Sequence, residues 1–157
     1  MNTFQWLLAL HVTGAFLLLG GTVMAGIFGV LAQRATRPSE VAVFLGLTRF
    51  AVPLIIGGAL LTLVLGLWLV HHAGFSYTAP WIIVSILLWI FASVAGQRGG
   101  ERERKTREFA LELIASGDAP SPELRVRMRD TVTLALSWGS GLASIAILAL
   151  MIWKPGA

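Results

Sequence analysis

The sequence contains no cysteine and few charged residues, and both absences narrow what the protein can be. Of its 157 residues, 13% are charged and 56% are hydrophobic, whereas a soluble domain carries about 25% charged residues. The lack of cysteine excludes disulfides, thiolate nucleophiles and cysteine-based metal or iron–sulfur sites. Because the few charges are also segregated from long apolar runs, the composition favours an integral membrane protein with several spans.

Carboxylates are missing from every apolar run. Pumps and many transporters relay protons through intramembrane acids, so this absence disfavours that class. The sequence also lacks a P-loop, a dinucleotide fingerprint, a nucleophile elbow and a His-Glu-x-x-His metal helix. The pI near 10.7 does not indicate nucleic-acid binding, because the basic residues flank the apolar runs, as they do in membrane topology signals.

Four apolar segments indicate transmembrane helices, each of which needs about 20 residues. The segments are residues 4–32, 50–70, 81–96 and 132–153. The first lacks a basic n-region and exceeds the ~7–15-residue core of a signal peptide, so we expect it to be retained. Pro53 is expected in the first turn of the second helix. The fold class predicted for residues 1–157 is all-α, a single polytopic domain built as a four-transmembrane-helix bundle.

Residues 97–130 are predicted to form a cytoplasmic connector that contains an amphipathic helix. Within 101–115, three apolar residues recur at helical spacing among charges: Phe109, Leu113 and Ile114. The Gly/Pro-rich stretch 117–122 ends that helix, and a second helix is expected to start near Ser121 and run into the fourth span. We interpret the connector as a solvated segment attracted to anionic lipid headgroups; a docking surface for a cytoplasmic partner is the alternative.

The distribution of basic residues predicts the orientation. Eleven of the 12 lysines and arginines lie between the first and second or the third and fourth spans, and only Lys154 lies on the other side. The positive-inside rule therefore places both termini and the loop 71–79 outside the cytoplasm. We expect a multi-pass protein of the inner (cytoplasmic) membrane, whose partners are the lipid bilayer and either a second copy or a larger membrane complex, and not nucleic acid.

Small residues and tryptophans indicate how the spans pack. Small side chains recur at four-residue spacing, which lets helix backbones approach closely: Gly21, Ala25 and Gly29; Gly58, Thr62 and Gly66; Ala135, Gly139 and Ala143. Four tryptophans are predicted to form an aromatic belt at the outer boundary: Trp6, Trp68, Trp81 and Trp153. Trp89 and Trp138 are expected to pack inside the bundle.

The histidines are the candidate site residues. His11 lies within the first apolar run, where an ionisable side chain indicates function, and His71 and His72 end the second run on the same side. Neutral imidazoles from His11 and one of this pair could ligate haem iron or copper. The alternatives are that His11 hydrogen-bonds a neighbouring hydroxyl or carbonyl, and that His71 and His72 are ordinary interfacial residues.

Short motifs along nearly the whole chain carry a family resemblance. They are Trp6-x4-His11, Arg49-x3-Pro53, Gly66-Leu67-Trp68-Leu69, Trp81 and Lys154-Pro155. On these residues the chain resembles a bacterial four-helix integral-membrane family of unknown function. More distantly, it is similar to the membrane-bound protoporphyrinogen oxidase of bacterial haem synthesis and to the copper-resistance D membrane domain.

The resemblance to the oxidase implies a haem b site at His11. It also implies a functional lysine four residues after the third-helix tryptophan, but this chain has Ser85 there, which argues against the oxidase reaction. The leading functional hypothesis is a non-catalytic membrane subunit or accessory protein. A haem-binding redox protein that uses His11 is the second hypothesis, and a small-solute or copper transporter is the third.

Overall fold

Four helices of the structure are long and apolar enough to cross a membrane, which confirms the predicted all-α fold. The structure, a computed structural model, describes residues 2–155. In chain order, its helices are α1 (Thr3–Arg34), α2 (Pro38–His72), α3 (Pro80–Ala115), α4 (Pro122–Met128) and α5 (Thr131–Trp153). The fourth apolar segment lies in α5, and α4 is a single short helix that precedes it.

The helix starts are fixed by residues that satisfy or remove free backbone N–H groups. The Asn2 side chain accepts a hydrogen bond from the Gln5 N–H at 2.9 Å, and the Gln5 side chain accepts one from the Asn2 N–H at 3.0 Å. This reciprocal pair is a capping box. Pro38 and Pro80 stand in the first turns of α2 and α3, where an N–H is not needed. Asp130 caps α5 by accepting a backbone N–H one turn later.

Two helices extend well beyond the apolar runs that predicted them. α2 begins at Pro38, about three turns before the predicted span. α3 continues from Pro80 to Ala115, so the predicted amphipathic helix is an extension of the third span. No proline interrupts that extension, and the i,i+4 ion pairs Lys105–Glu101 and Arg104–Glu108 support it.

The interior position of Pro53 corrects one expectation. Because α2 starts at Pro38, Pro53 lies inside the helix and not in its first turn. An interior proline removes one backbone hydrogen bond, which transmembrane helices tolerate where neighbouring groups compensate. A second difference concerns the helix expected near Ser121, which ends at Met128 and does not continue into α5. At the start of α2 and the end of α3 the helix therefore continues well past the apolar run, whereas the other helix ends agree with the predicted spans to within two residues.

The helices pack mainly in chain order: α1 along α2, α2 along α3, and α3 along α5, with a smaller contact between α1 and α5. We call the end that carries α4 and the α1–α2 connection the basic end. The other end, which carries Asn2, residues 73–79 and Lys154, is called the terminal end.

Glycines let α1 and α2 approach to backbone contact. A Cβ on Gly58 would overlap the backbone nitrogen of Leu18 and lie 2.7 Å from the carbonyl oxygen of Gly14. A Cβ on Gly21 would lie 3.0 Å from the carbonyl oxygen of Ala51. The predicted role of small residues in helix packing is therefore confirmed at Gly21 and Gly58, whereas a Cβ on Gly29, in the same predicted stripe as Gly21, would meet nothing within 4 Å.

The tryptophans divide differently from the prediction. Trp6, Trp68 and Trp153 are exposed at the terminal end, as an aromatic belt requires. Trp81, predicted in that belt, is buried and packs edge-to-face against Phe75, with ring centroids 5.6 Å apart. Trp138, expected inside the bundle, is 61% exposed on α5. Since both residues sit in apolar runs, composition alone could not show which face of the helix carries them.

A separate apolar cluster holds the basic end together. It joins the end of α1, the start of α2, the end of α3 and α4 through six buried residues: Ala32, Val41, Ala42, Leu45, Ala110 and Leu124. Phe109, Leu113 and Ile114 pack against it, so the apolar face predicted for 101–115 is confirmed as a packing face. The helix extensions therefore form a small folded cap rather than a loose connector.

Asp118 fastens the turn after α3 to the start of α2. Its carboxylate accepts hydrogen bonds from the Ser39 backbone N–H at 2.8 Å and from the Ser39 hydroxyl at 2.6 Å. Asp118 has a positive φ of 56°, which aspartate tolerates better than most residues. The two bonds from Ser39, and more weakly the charge of Arg37, hold the pKa of the Asp118 carboxyl below its usual value.

The Asp118 contact predicts a pH dependence of the cap. Because the folded pKa is lowered, the stabilisation is fully present above the unfolded value of about 3.9 and is lost as pH falls through the folded pKa. We expect the Ser39 amide proton shift, followed by NMR in detergent micelles, to titrate with a midpoint below that value. Asp118→Asn should abolish the titration, and a midpoint at or above the unfolded value would contradict the proposed linkage.

Candidate functional site

His11 lies half-buried between α1 and α2, where its ring contacts the backbone of α2. The Nδ1–H donates a hydrogen bond to the carbonyl oxygen of Thr62 at 3.0 Å. The Thr62 hydroxyl is itself satisfied, donating to the Gly58 carbonyl at 2.6 Å. Gly66 makes room for the ring, because a Cβ there would lie 3.0 Å from Cε1 of His11. Gly66 and the Thr62 carbonyl on α2 together form the binding position of the His11 imidazole, which we call its seat.

This geometry matches the alternative in which His11 bonds a neighbouring carbonyl. Donation from Nδ1 leaves Nε2 as the unprotonated nitrogen of the neutral ring, which is the nitrogen that a metal or haem iron would take. The same bond therefore ties two helices together and orients the ring. Binding of a ligand by His11 stays a prediction.

His71 and His72 stand apart from this seat. Both are exposed at the last turn of α2, five and six residues beyond Gly66 and so about 8–9 Å further along the axis. Within residues 2–155, no group of three or more His, Asp or Glu side chains could hold a metal ion. The part of the haem or copper hypothesis that pairs His11 with His71 or His72 has no supporting contact and stays a prediction.

Two further polar side chains tie the remaining neighbouring helices. The indole N–H of Trp89 on α3 donates to the carbonyl of Ala59 on α2 at 3.3 Å. The Ser140 hydroxyl on α5 donates to the carbonyl of Ala92 on α3 at 2.9 Å. Together with His11, each neighbouring pair in the order α1–α2–α3–α5 therefore has at least one side-chain-to-carbonyl bond, and α2–α3 has a second at the basic end, from Arg107 Nε to the Ala42 carbonyl at 3.3 Å. Such bonds stabilise membrane helix pairs by about 0.6 kcal/mol on average.

An apolar cavity of about 40 Å³ lies between α2, α3 and α5 at the terminal end. Its lining includes Gly66, Trp81 and Ser85 but not His11. Ser85, where the resemblance to the oxidase implied a lysine, donates to the Trp81 carbonyl at 2.7 Å. The Trp81 indole N–H is buried and has no partner among residues 2–155. Since drug-sized ligands occupy roughly 300–1,000 Å³, this cavity has room for a few water molecules at most.

A much larger cavity, of about 610 Å³, opens at the basic end between the end of α1 and α4. It has two arginines, Arg125 and Arg129, and no carboxylate in its lining. The hydroxyls of Thr36 and Ser121 also line it. Its volume lies in the range of small-molecule sites.

Reasoning from the sequence missed most of these contacts for identifiable reasons. The acceptors of His11, Trp89 and Ser140 are backbone carbonyls, which no residue type reveals. Gly66 beside His11 did carry a signal, since a glycine in an apolar helix marks a close approach. The basic-end cavity depends on the turn at 117–121, which brings α4 back against α1.

The structure therefore defines a polytopic α-helical membrane protein whose helices pack at glycine contacts and are joined by hydrogen bonds from side chains to backbone carbonyls. The chain belongs to the family described as "Predicted integral membrane protein (DUF2269)", whose model matches residues 5–155. No curated protein and no solved structure matches the chain. The family of unknown function expected from the motifs is thus confirmed, while the more distant similarity to the oxidase and the copper-resistance domain has no support in these comparisons.

Proposed function

We propose that the protein is a non-catalytic membrane subunit that holds or positions a partner in the bilayer. The observation that carries this proposal is that three polar side chains in the apolar spans form hydrogen bonds between neighbouring helices. His11, Trp89 and Ser140 each bond to a carbonyl of the next helix and so serve the bundle itself. A rigid bundle of this kind, with a lipid-facing apolar surface and a folded cap, suits a scaffold or accessory role.

We further propose that the basic end faces the cytoplasm and that the protein resides in the inner membrane with both termini outside. The support is the concentration of lysine and arginine at the basic end, which is the end that the positive-inside rule assigns to the cytoplasm. Fused after Lys154, a reporter enzyme that is active only outside the cytoplasm should be active, and one that is active only in the cytoplasm should be inactive. Activity there of a reporter that works only in the cytoplasm would reverse the orientation.

The subunit proposal is tested by native separation of membranes solubilised in mild detergent. We expect the protein to migrate in an assembly of defined mass with one reproducible partner, or with further copies of itself. Crosslinkers placed at Phe16 and Leu142, which are 73% and 63% exposed on α1 and α5, should identify the contact face. Migration as a monomer in gentle detergent, without crosslinks at either position, would contradict the proposal.

The second candidate function is haem binding through Nε2 of His11, as the proposed relation to the oxidase implies. The observation in its favour is the Nδ1–H bond to Thr62, which orients the ring as a ligand needs. The purified protein, expressed with ample haem, should then show a Soret band that His11→Ala removes. The matched control is Thr13→Ala, which shortens an exposed polar side chain on the same helix, and His72→Ala tests whether that histidine supplies a second ligand. No Soret band in the wild-type protein would rule out this function.

A further inference from the structure

We propose that the basic-end cavity binds the headgroup of one anionic phospholipid. The first support is charge. Arg125 and Arg129 line the cavity without any carboxylate beside them, and within residues 2–155 neither is part of an ion pair. The nearest acids in the sequence are already paired, Glu123 with Arg127 at 2.8 Å and Asp130 with Arg102 at 3.0 Å. Two guanidinium groups four residues apart are therefore left to bind an anion from outside the chain.

The second support is position. The cavity lies where α1 ends and α5 is about to begin, since its lining includes Gln33 on one side and Arg129 on the other. Both residues flank apolar runs of membrane length, so the cavity lies at the level of the lipid headgroups. Phospholipid phosphates occupy this level at a density that no soluble anion reaches.

The third support is the mixed chemistry of the lining. Thr36 and Ser121 add hydroxyl groups that can donate to phosphate or glycerol oxygens. Val126, 72% exposed although apolar, lines the same cavity together with Met128. An exposed valine between arginines suits contact with the upper part of an acyl chain, which a free phosphate ion does not have. The cavity volume of about 610 Å³ is sufficient for a headgroup with its glycerol.

The test is native mass spectrometry of the protein released from phosphatidylcholine vesicles in which roughly one lipid in five is phosphatidylglycerol. We expect one phosphatidylglycerol to remain bound. Because each basic residue near an anionic surface contributes about fivefold in affinity, Arg125→Gln/Arg129→Gln should weaken retention about 25-fold. The matched control is Arg104→Gln/Lys105→Gln, which removes the same charge from the exposed face of α3 and should retain the lipid.

Three results would overturn the proposal: no retained lipid, equal weakening in both double variants, or equal protection from heat by inorganic phosphate and by phosphatidylglycerol. The second would show diffuse attraction to the membrane, and the third a site for the free ion. Thermal unfolding in pure phosphatidylcholine verifies that the Arg125/Arg129 variant is folded. Should that variant be unstable, Arg125→Lys/Arg129→Lys keeps the charge, and complete loss of the lipid in it would also contradict a predominantly electrostatic site.

Discussion

Replacing Gly58 by alanine is expected to force α1 away from α2 and to give the largest loss of stability of any single methyl group added to the bundle. The added Cβ would overlap the backbone nitrogen of Leu18 and lie 2.7 Å from the Gly14 carbonyl oxygen. Backbone atoms cannot rotate out of the way as a flexible side chain can. Overpacking of this kind costs about 1–3 kcal/mol, and we expect the upper end of that range.

The loss should extend beyond the contact itself. His11 reaches the Thr62 carbonyl only if the two helices keep their separation, and Thr62 lies one turn from Gly58. A shift of α1 by the width of a methyl group therefore also lengthens that hydrogen bond. The measurement is the free energy of unfolding in mixed micelles, obtained by titrating a denaturing detergent.

Gly57→Ala is the matched control for this prediction. It adds the same methyl group one residue earlier on α2, where a Cβ would meet nothing within 4 Å. Since alanine is favoured over glycine inside a helix by about 0.5–1 kcal/mol, the control should leave stability unchanged or raise it slightly. Equal destabilisation by the two substitutions would show that close approach at Gly58 does not limit the α1–α2 packing.

The comparison of Gly57 with Gly58 also shows what the sequence could predict. Four-residue spacing identified Gly58 as part of a packing stripe, because the small side chains of membrane helices cluster at contacts. The fold class followed from composition and from the four apolar runs, since helices are the only simple way to satisfy a backbone in lipid. Such reasoning depends on one chain segment at a time.

The features that sequence reasoning missed depend on how two distant segments of the chain pack against each other. Trp81 and Trp138 exchanged their expected environments because the apolar runs are hydrophobic on all sides and do not mark the buried face. Pro53 was placed at a helix start because the apolar run starts near it, yet helix formation continues through polar residues back to Pro38. His11 was named as a candidate site residue, and that role stays a prediction; its hydrogen-bond partner, a backbone carbonyl, leaves no trace in the sequence.

The cap at the basic end shows the same dependence on distant segments. Residues 97–130 were expected to be a solvated connector, but the apolar face of α3 meets the start of α2, the end of α1 and Leu124 of α4. The Gly117–Asp118 turn, recognised as a helix break, is what reverses the chain so that α4 can join this cluster. The attachment of the seven-residue helix α4 to the cap therefore depends mainly on one buried side chain, Leu124.

Leu124→Ala is accordingly expected to release α4 from the cap. Leu124 is 2% exposed and is the buried residue of α4. Removing a buried leucine side chain costs about 2–5 kcal/mol, and a helix of two turns has little intrinsic stability to offset this. The helix should then open locally while α1, α2, α3 and α5 stay assembled, because none of the intramembrane ties involves α4.

Amide hydrogen exchange at Arg125 and Arg129 measures this opening, since their N–H groups donate to the carbonyls of Ser121 and Arg125. A loss of about 2–3 kcal/mol in local stability corresponds to roughly 30–150-fold faster exchange at both amides. In detergent without phospholipid, Val126→Ala, which shortens an exposed side chain on the same helix, should leave both rates nearly unchanged. If the anionic lipid site is formed as proposed, Leu124→Ala also loses the retained phosphatidylglycerol although both arginines are still present. Unchanged exchange in Leu124→Ala would instead mean that the Ser121 cap and the flanking chain hold α4 in place without its apolar anchor.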